Sequence, residues 1–467
     1  MTGGATESEG PNAVGRPLWR DGHEVTHRRQ ALRGDVTCDI AVVGAGFTGL
    51  WTAYYLLQAE PSLHVVLLEK ESAGFGASGR NGGWLSAIFP VSLPRVEKRY
   101  SHRAALDLQS AMNATVTEVG EVVKREGIDC DFAQEGLVSL ARNEAQLVRA
   151  RAAVEGAERF GLTGQWQLLS AGQACEKVNA AGVLGGLYTE HCAVLQPDKL
   201  VRGLAARVEA MGGVIHENTA VTRIEPGQVS TDAGGRVEAS VVVRATEAFT
   251  ATLAGSRRQL VPLYSLVLAT EPLPEDRLAA LGLDRRTAFN DLRHLRVYAQ
   301  PTSEGRIVFG GRGAPYHFAS KMDPAFDAHP GIHGKLVSTL HDFFPDLRGV
   351  AVTHRWGGPL GVPRDWFPSV GYDAARRTAW AGGYVGDGVA TSNLSGRVLR
   401  NLILGTADPL DALPVVNHPS PRWEVEPLRW LGVNAGLRAA ATADREERLT
   451  GRPSKVAALL ERLTGAH

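Results

Sequence analysis

The chain has 467 residues, long enough for two domains, and its 44% hydrophobic and 21% charged residues are ordinary for a globular enzyme. Lys plus Arg equals Asp plus Glu at 50 each, so no net field draws it to nucleic acid or to an anionic membrane. The four cysteines (Cys38, Cys130, Cys175, Cys192) form no CxxC pair and the 14 histidines no HxH pattern; reduced thiols in the cytoplasm and no metal site are expected.

In chain order, residues 1–35 read as a polar leader with no signal-peptide run, docked around Pro17-Leu18-Trp19. The apolar stretch from Ile40 to Leu57 approaches membrane-span length, but glycines interrupt its start and Gln58-Ala59-Glu60-Pro61 ends it, so strand, turn and helix fit better. Cys38 to Val43 reads as a strand, Thr48 to Ala59 as a buried helix and His64 to Leu68 as a second buried strand. Helical periodicity follows over Ala104 to Lys124, Glu144 to Arg159 and Lys199 to Met211. Strands are expected at Val214 to His216, Ala220 to Ile224 and Val237 to Ala245. Residues 258–312 are strand-rich, with a hairpin signal at Thr302-Ser303-Glu304-Gly305. Ser392 to Leu404 is a helix with Gly405 as its C-cap, and the tail after 420 carries amphipathic helical stretches such as Lys455 to Leu463, suited to core docking or dimer contact.

The segment from Cys38 to Lys70 carries the chemistry. Gly44, Gly46 and Gly49 form GxGxxG directly after a strand and opening a helix, with Phe47 and Thr48 in that helix's first turn. The first glycine permits the turn, the second admits a pyrophosphate, and the third lets helix and strand pack closely. Helix N–H groups then face the phosphates. Glu69, 20 residues beyond Gly49, is placed to accept hydrogen bonds from a ribose hydroxyl. An acid there repels a 2′-phosphate, so NADP does not suit the site. A second glycine-rich loop (Gly76, Ala77, Ser78, Arg80, Asn81, Gly82, Gly83) is unexpected for an NAD site and suits one that wraps a larger cofactor, with Ser78 and Arg80 able to reach phosphates. Far along the chain, Gly383, Gly386 and Gly388 precede another helix, whose N-terminus would stabilise negative charge developing on a flavin. Dinucleotide binding, with FAD preferred over NAD, is therefore expected.

The segments VVGAGFTGLWTAYYL (42–56), GASGRNGG (76–83), VLQPDKLVRGLA (194–205) and GGYVGDGVATSNLSGR (382–397) together resemble the FAD-dependent D-amino-acid oxidase family, in the branch that holds gamma-glutamylputrescine oxidoreductase, with sarcosine and glycine oxidases as wider relatives. GRIVFGG (305–311) and RWGGPLGVPRDWFPSVG (355–371) agree, and the resemblance spans roughly residues 30–405. It implies an α/β fold (α+β overall): a Rossmann-like FAD-binding domain built from 36–95, 190–258 and 350–410, interleaved with an antiparallel-sheet substrate domain built from 96–189 and 259–349. A C-terminal helical tail, 411–467, follows. It implies that the three glycines, Glu69 and Lys70 hold the ADP half. Ser78, Arg80, Asn81 and Gly82 would contact pyrophosphate and flavin, Val221 would meet adenine through its backbone, and Gly386, Gly388 and Val389 would lie by the flavin ring.

The implied reaction is oxidation of a small amine or amino acid at its C–N bond by hydride transfer to flavin N5, with oxygen or another acceptor taking the electrons. Such chemistry needs binding, orientation and desolvation more than acid–base groups. Candidate substrate residues are Tyr264, Arg296, Tyr298, Arg312, Arg355 and Trp356: arginine to clamp a carboxylate, aromatics to line an apolar or cationic pocket. The sequence departs from the family at Glu247, where asparagine is usual, and at Asp387, where histidine is common; Asp387 either holds a cationic amine or, the preferred reading, caps the next helix. No cysteine lies beyond 192, so the FAD is expected to be non-covalent, without a cysteinyl link. The alternatives are a flavin monooxygenase consuming NAD(P)H and oxygen, whose Gly-Asp pair resembles Gly386-Asp387, and a non-catalytic dinucleotide sensor.

Overall fold

The computed structural model describes residues 13–22 and 29–464; the rest of the expected leader lies outside them. The strand Val36–Val43 is buried through its second half, because the parallel strands Val65–Leu68 and Arg236–Arg244 flank it and both its faces are covered. Val214–His216 extends this parallel sheet on one side and Thr378–Gly382 on the other. The expected strands at 38–43, 64–68, 214–216, 220–224 and 237–245 all lie here, with Val221–Glu225 in an antiparallel extension at one edge.

Helix Phe47–Ala59 is buried from Phe47 to Leu57, which accounts for a sequence apolar on most of its faces. It lies against helix Gly388–Leu404 so closely that a Cβ on Gly396 would stand 2.9 Å from the Trp51 backbone. Gly405, at φ +69°, is the left-handed C-cap of the second helix, as its sequence indicated. Packed this way, the two helices bring both N-termini to the carboxyl ends of the parallel strands, the usual ligand edge of such sheets.

The second sheet is mostly antiparallel. Its strands, from edge to edge, are Ala13–Val14, Val352–Val362, Val261–Thr270, Ile307–Gly311, Val297–Pro301, Ala288–Asp291, Leu137–Ala141, Gly185–Thr189 and Gln167–Ser170. The hairpin expected at Thr302–Gly305 joins the strands ending at Pro301 and beginning at Ile307, with Gly305 at φ +76°. Val352–Val362, grouped in sequence with the dinucleotide half, instead pairs along its length with Val261–Thr270 in this sheet. Its alternation of apolar and polar residues suits a sheet with one face on a core, whichever sheet that is. Helix Pro330–Phe343 covers the outer face, while the inner face, carrying Val267, Tyr298 and Trp356, meets the leader's Leu18 and Trp19. The docked segment around Leu18 and Trp19 is thus present, with the Trp19 indole N–H donating to Asn81 O at 2.7 Å. No helix among the described residues is long and apolar enough to cross a membrane.

Candidate active site

A cavity of about 350 Å³ opens where the two helix N-termini converge. Gly44, Gly46, Phe47 and Thr48 form one wall, Glu69 and Lys70 one end, and Gly386, Gly388 and Val389 the other. The glycine requirement is geometric. Gly44 sits at φ +105° with its notional Cβ 2.6 Å from Ala245 O, and a Cβ on Gly49 would stand 2.0 Å from Gly44 O. The Glu69 carboxylate is anchored by the backbone N–H groups of Ala45 (2.9 Å) and Glu71 (3.0 Å), and burial raises its pKa. Val221 lines the wall beside Thr219, at the irregular start of its strand.

Of the second glycine loop, Gly76, Ala77, Ser78 and Asn81 line the cavity. Ser78 Oγ accepts the Phe47 N–H at 2.8 Å, fastening the loop to the helix start. Arg80 is not on the wall. Its guanidinium pairs with Asp327, donates to Phe75 O (2.7 Å) and lies over the Phe75 ring. It therefore ties the loop to the second sheet, and the sequence offered no sign of Asp327, 247 residues away. Gly82 and Gly83 also lie off the wall: a Cβ on Gly82 would strike the Tyr298 ring at 2.3 Å, and one on Gly83 the Gln300 amide at 1.8 Å. Gly383 sits behind the wall, donating its N–H to Glu247.

Glu247, singled out in sequence only as a departure, proves central. Its carboxylate accepts N–H bonds from Gly361 (2.6 Å), Gly383 (3.1 Å) and Tyr384 (3.0 Å), so one side chain joins three segments around the cavity. Burial pushes its pKa up to about 7 against the pull of those donors. Phe249, Leu360 and Tyr384 also line the cavity without having been anticipated, the Tyr384 hydroxyl lying 3.0 Å from Thr48 Oγ1. Each is an ordinary core-like residue in sequence, and only the chain crossing reveals its position.

A second chamber, about 710 Å³, adjoins the first; Leu360 lines both, and Val385, next to Gly386, belongs to the second. Of the six residues proposed for substrate, Tyr264, Arg296 and Arg312 line this chamber. Tyr298, Arg355 and Trp356 do not. Tyr298 is held by Ser265 Oγ at 2.9 Å under Gly82, and the Trp356 indole donates to Arg80 O at 2.8 Å. Arg355 follows the strand alternation to the opposite face from Trp356 and donates to Val352 O.

Arg312 donates to Val385 O and lies over the Trp366 ring, holding the β-branched Val385 at φ +59°. Asp387 occupies the N-cap position of its helix but makes no side-chain capping bond, contrary to the preferred reading. Burial raises its pKa to about 6, offset by the charges of Arg312 and Arg296. Burial likewise lowers the pKa of Arg312, and Asp387 opposes that shift. His294, Asp444 and Glu447 come within ligating distance of one another. Arg149, however, occupies both Glu447 oxygens (2.7 and 2.6 Å), and the backbone N–H groups of His294 and Leu295 occupy Asp444, so this cluster is an ion-pair network.

A cavity with two helix N-termini and the Glu69 carboxylate on its walls has the donors and the acceptor that a flavin dinucleotide would need. None of the four free thiols lines either chamber. Over 392 residues, the chain is 33% identical to gamma-glutamylputrescine oxidoreductase of Escherichia coli K12, covering 83% of this chain and 88% of that one. It is 24% identical to the beta subunit of sarcosine oxidase of Rhodobacter capsulatus, over 71% of this chain and 76% of that one. The fold resembles the crystal structure of glycine oxidase from Geobacillus kaustophilus, with a TM-score of 0.69 at 21% identity over 82% of this chain and 98% of that one. The model of the DAO family of FAD-dependent oxidoreductases matches residues 39–402, and the chain belongs to that family, with FAD as its cofactor.

Proposed function

We propose that this chain oxidises the C–N bond of a small amine or amino acid, carrying it out at the junction of the two chambers. Bound FAD supplies the hydride acceptor. The amine enters as the free base, its α-carbon loses a hydride, its nitrogen lone pair closes the C=N bond, and water hydrolyses the resulting imine to a carbonyl compound and a released amine or ammonia. The protein's part is to bind, orient and exclude water. Leu360 and Val385 provide the apolar approach. Arg312, on the wall of the second chamber, is placed to hold a substrate carboxylate, and the nearby Asp387 carboxylate tempers its charge. Glu69, the first-helix glycines, Ser78, Val221 and the loop at Gly386 would hold the dinucleotide, while Arg80, Gly82, Gly83 and Gly383 shape its surroundings. This division of the chain into a dinucleotide half and a substrate half is part of the same proposal.

The observation that carries the reading is the larger chamber meeting the flavin end of the cavity at Leu360 and the Val385–Gly386 turn. The relatives' names, which speak of glutamylputrescine, sarcosine and glycine, support an amine or amino acid as substrate. The free thiols, three of them buried, support the cytoplasm as the location. The test is the visible spectrum of the purified protein, repeated without oxygen against a panel of amines and amino acids. Bleaching of the flavin bands by one class is the expected result. Bleaching by NAD(P)H alone would overturn the reading in favour of a monooxygenase, and no bleaching by either would favour a sensor.

A further inference from the structure

The C-terminal helix Leu428–Thr450 lies beyond residue 402, outside the matched family segment, yet it forms one side of the larger chamber. It is fastened at both ends. Before it, the Trp423 indole donates to Val362 O at 2.8 Å; near its end, Glu447 takes both Arg149 nitrogens. Between these anchors it turns Gly432, Gly436 and Ala440 to the chamber, one turn apart, beside Val433 and Leu437. A Cβ at Gly432 or Gly436 would meet nothing within 4 Å, so both glycines face open volume. Neither has a positive φ, so turn geometry does not require them.

Asn290 lines the same chamber at 7% exposure, and its Oδ1 has no hydrogen-bond partner. A buried, unpaired amide oxygen is costly unless a ligand satisfies it. Its strand, Ala288–Asp291, stands four places along the sheet from Val352–Val362, which carries Leu360. Four strand spacings make about 19 Å, several times the length of glycine.

We infer that helix Leu428–Thr450 is the far wall of the substrate chamber and, through Gly432 and Gly436, sets the length of amine the enzyme accepts, with Asn290 Oδ1 receiving a hydrogen-bond donor at the far end of that amine. The inference rests on the amine-oxidising reading above and specifies its substrate as extended and polar at both ends. A chamber of about 710 Å³ lies in the range that encloses ligands far larger than a two-carbon amino acid.

The test uses the full-length FAD-loaded protein in anaerobic stopped-flow, following flavin bleaching by n-alkylamines and by ω-aminoalkanamides from the ethyl to the octyl chain. In the unaltered protein, Kd should fall as the chain lengthens, and an amide should bind tighter than the alkylamine of equal length. Gly436→Leu fills the open volume and favours the helix, so folding should be preserved. It should raise Kd for the longest amines about tenfold relative to the ethyl compounds, with Gly436→Ala intermediate. Asn290→Leu should abolish the advantage of the amides at equal length. If Gly436→Leu weakens short and long amines alike, or neither, the length filter is overturned while amine oxidation stands. If no amine bleaches the unaltered protein, the amine reading falls and the inference with it.

Discussion

Glu247 holds its backbone at φ +42°, a region non-glycine residues seldom occupy, and its three N–H bonds hold it there. Glu247→Gln keeps the shape but turns an NH2 group toward a backbone donor, leaving that N–H unpaired at a cost of about 1–3 kcal/mol. The pH dependence has a definite sign. Folding raises this carboxyl from 4.5 to about 7, so the native state resists its ionisation, and the unaltered protein loses stability as pH rises from 4.5 through 7. The glutamine variant lacks that loss. Its deficit in Tm should be largest near pH 5 and shrink toward pH 8, and thermal melts across that range check it. Asp387, raised to about 6, acts through its charge on Arg312. Kd for substrates that carry a carboxylate should weaken as pH rises through about 6, where Asp387 ionises and offsets the Arg312 charge, and Asp387→Asn should remove that inflection from the profile. The sequence marked Glu247 and Asp387 as departures but could not assign their roles, because their partners lie on other segments of the chain.

The C-terminal helix is held chiefly by a network around Glu447, which is 1% exposed. Burial alone would raise this carboxyl, but the bonds from Arg149 and His294 outweigh it and bring its pKa down to about 2. Its stabilising contribution is therefore complete above the ordinary 4.5 and is lost as pH falls from there toward 2. Glu447→Gln leaves Arg149 without its counter-charge, a loss of about 3 kcal/mol by comparison with other buried pairs. Limited proteolysis at neutral pH should then cut the chain near 420–428 faster than in the unaltered protein, while the rest stays folded. The amphipathic pattern of this tail showed that it docks somewhere. It did not show that the helix closes a chamber, because an apolar face reads the same against a core, a dimer partner or a substrate.

For the molecule as a whole, FAD should act as a folding ligand. Its cavity is bounded by separate stretches of chain, among them the turn after Val43, the turn after Arg244 and the loop at Gly386, which the unfolded chain does not bring together. A ligand bound only by the native state stabilises by about 2.7 kcal/mol at a hundredfold excess over Kd. Stripping the cofactor should accordingly lower Tm by several degrees, and adding FAD back should restore it in a concentration-dependent way. The dinucleotide half was legible because its signals are local. Strand, GxGxxG, helix and ribose acid follow within the span from Cys38 to Lys70, and each glycine answers a clash with its neighbours. The return loop at Gly386 was legible for the same reason, as glycines before a helix start. The substrate side was not. Tyr298, Arg355 and Trp356 share the residue types of Tyr264, Arg296 and Arg312, and strand alternation and sheet order alone sent the first three away from the chamber. Local steric and helix-end requirements thus let the sequence by itself mark a dinucleotide site, and the family resemblance carried by the same segments supplied the fold class. The lining of the larger chamber, the nearness of Arg312 to Asp387 and the burial of an unpaired Asn290 Oδ1 were decided only by the tertiary structure, because each depends on residues far apart in the chain coming together.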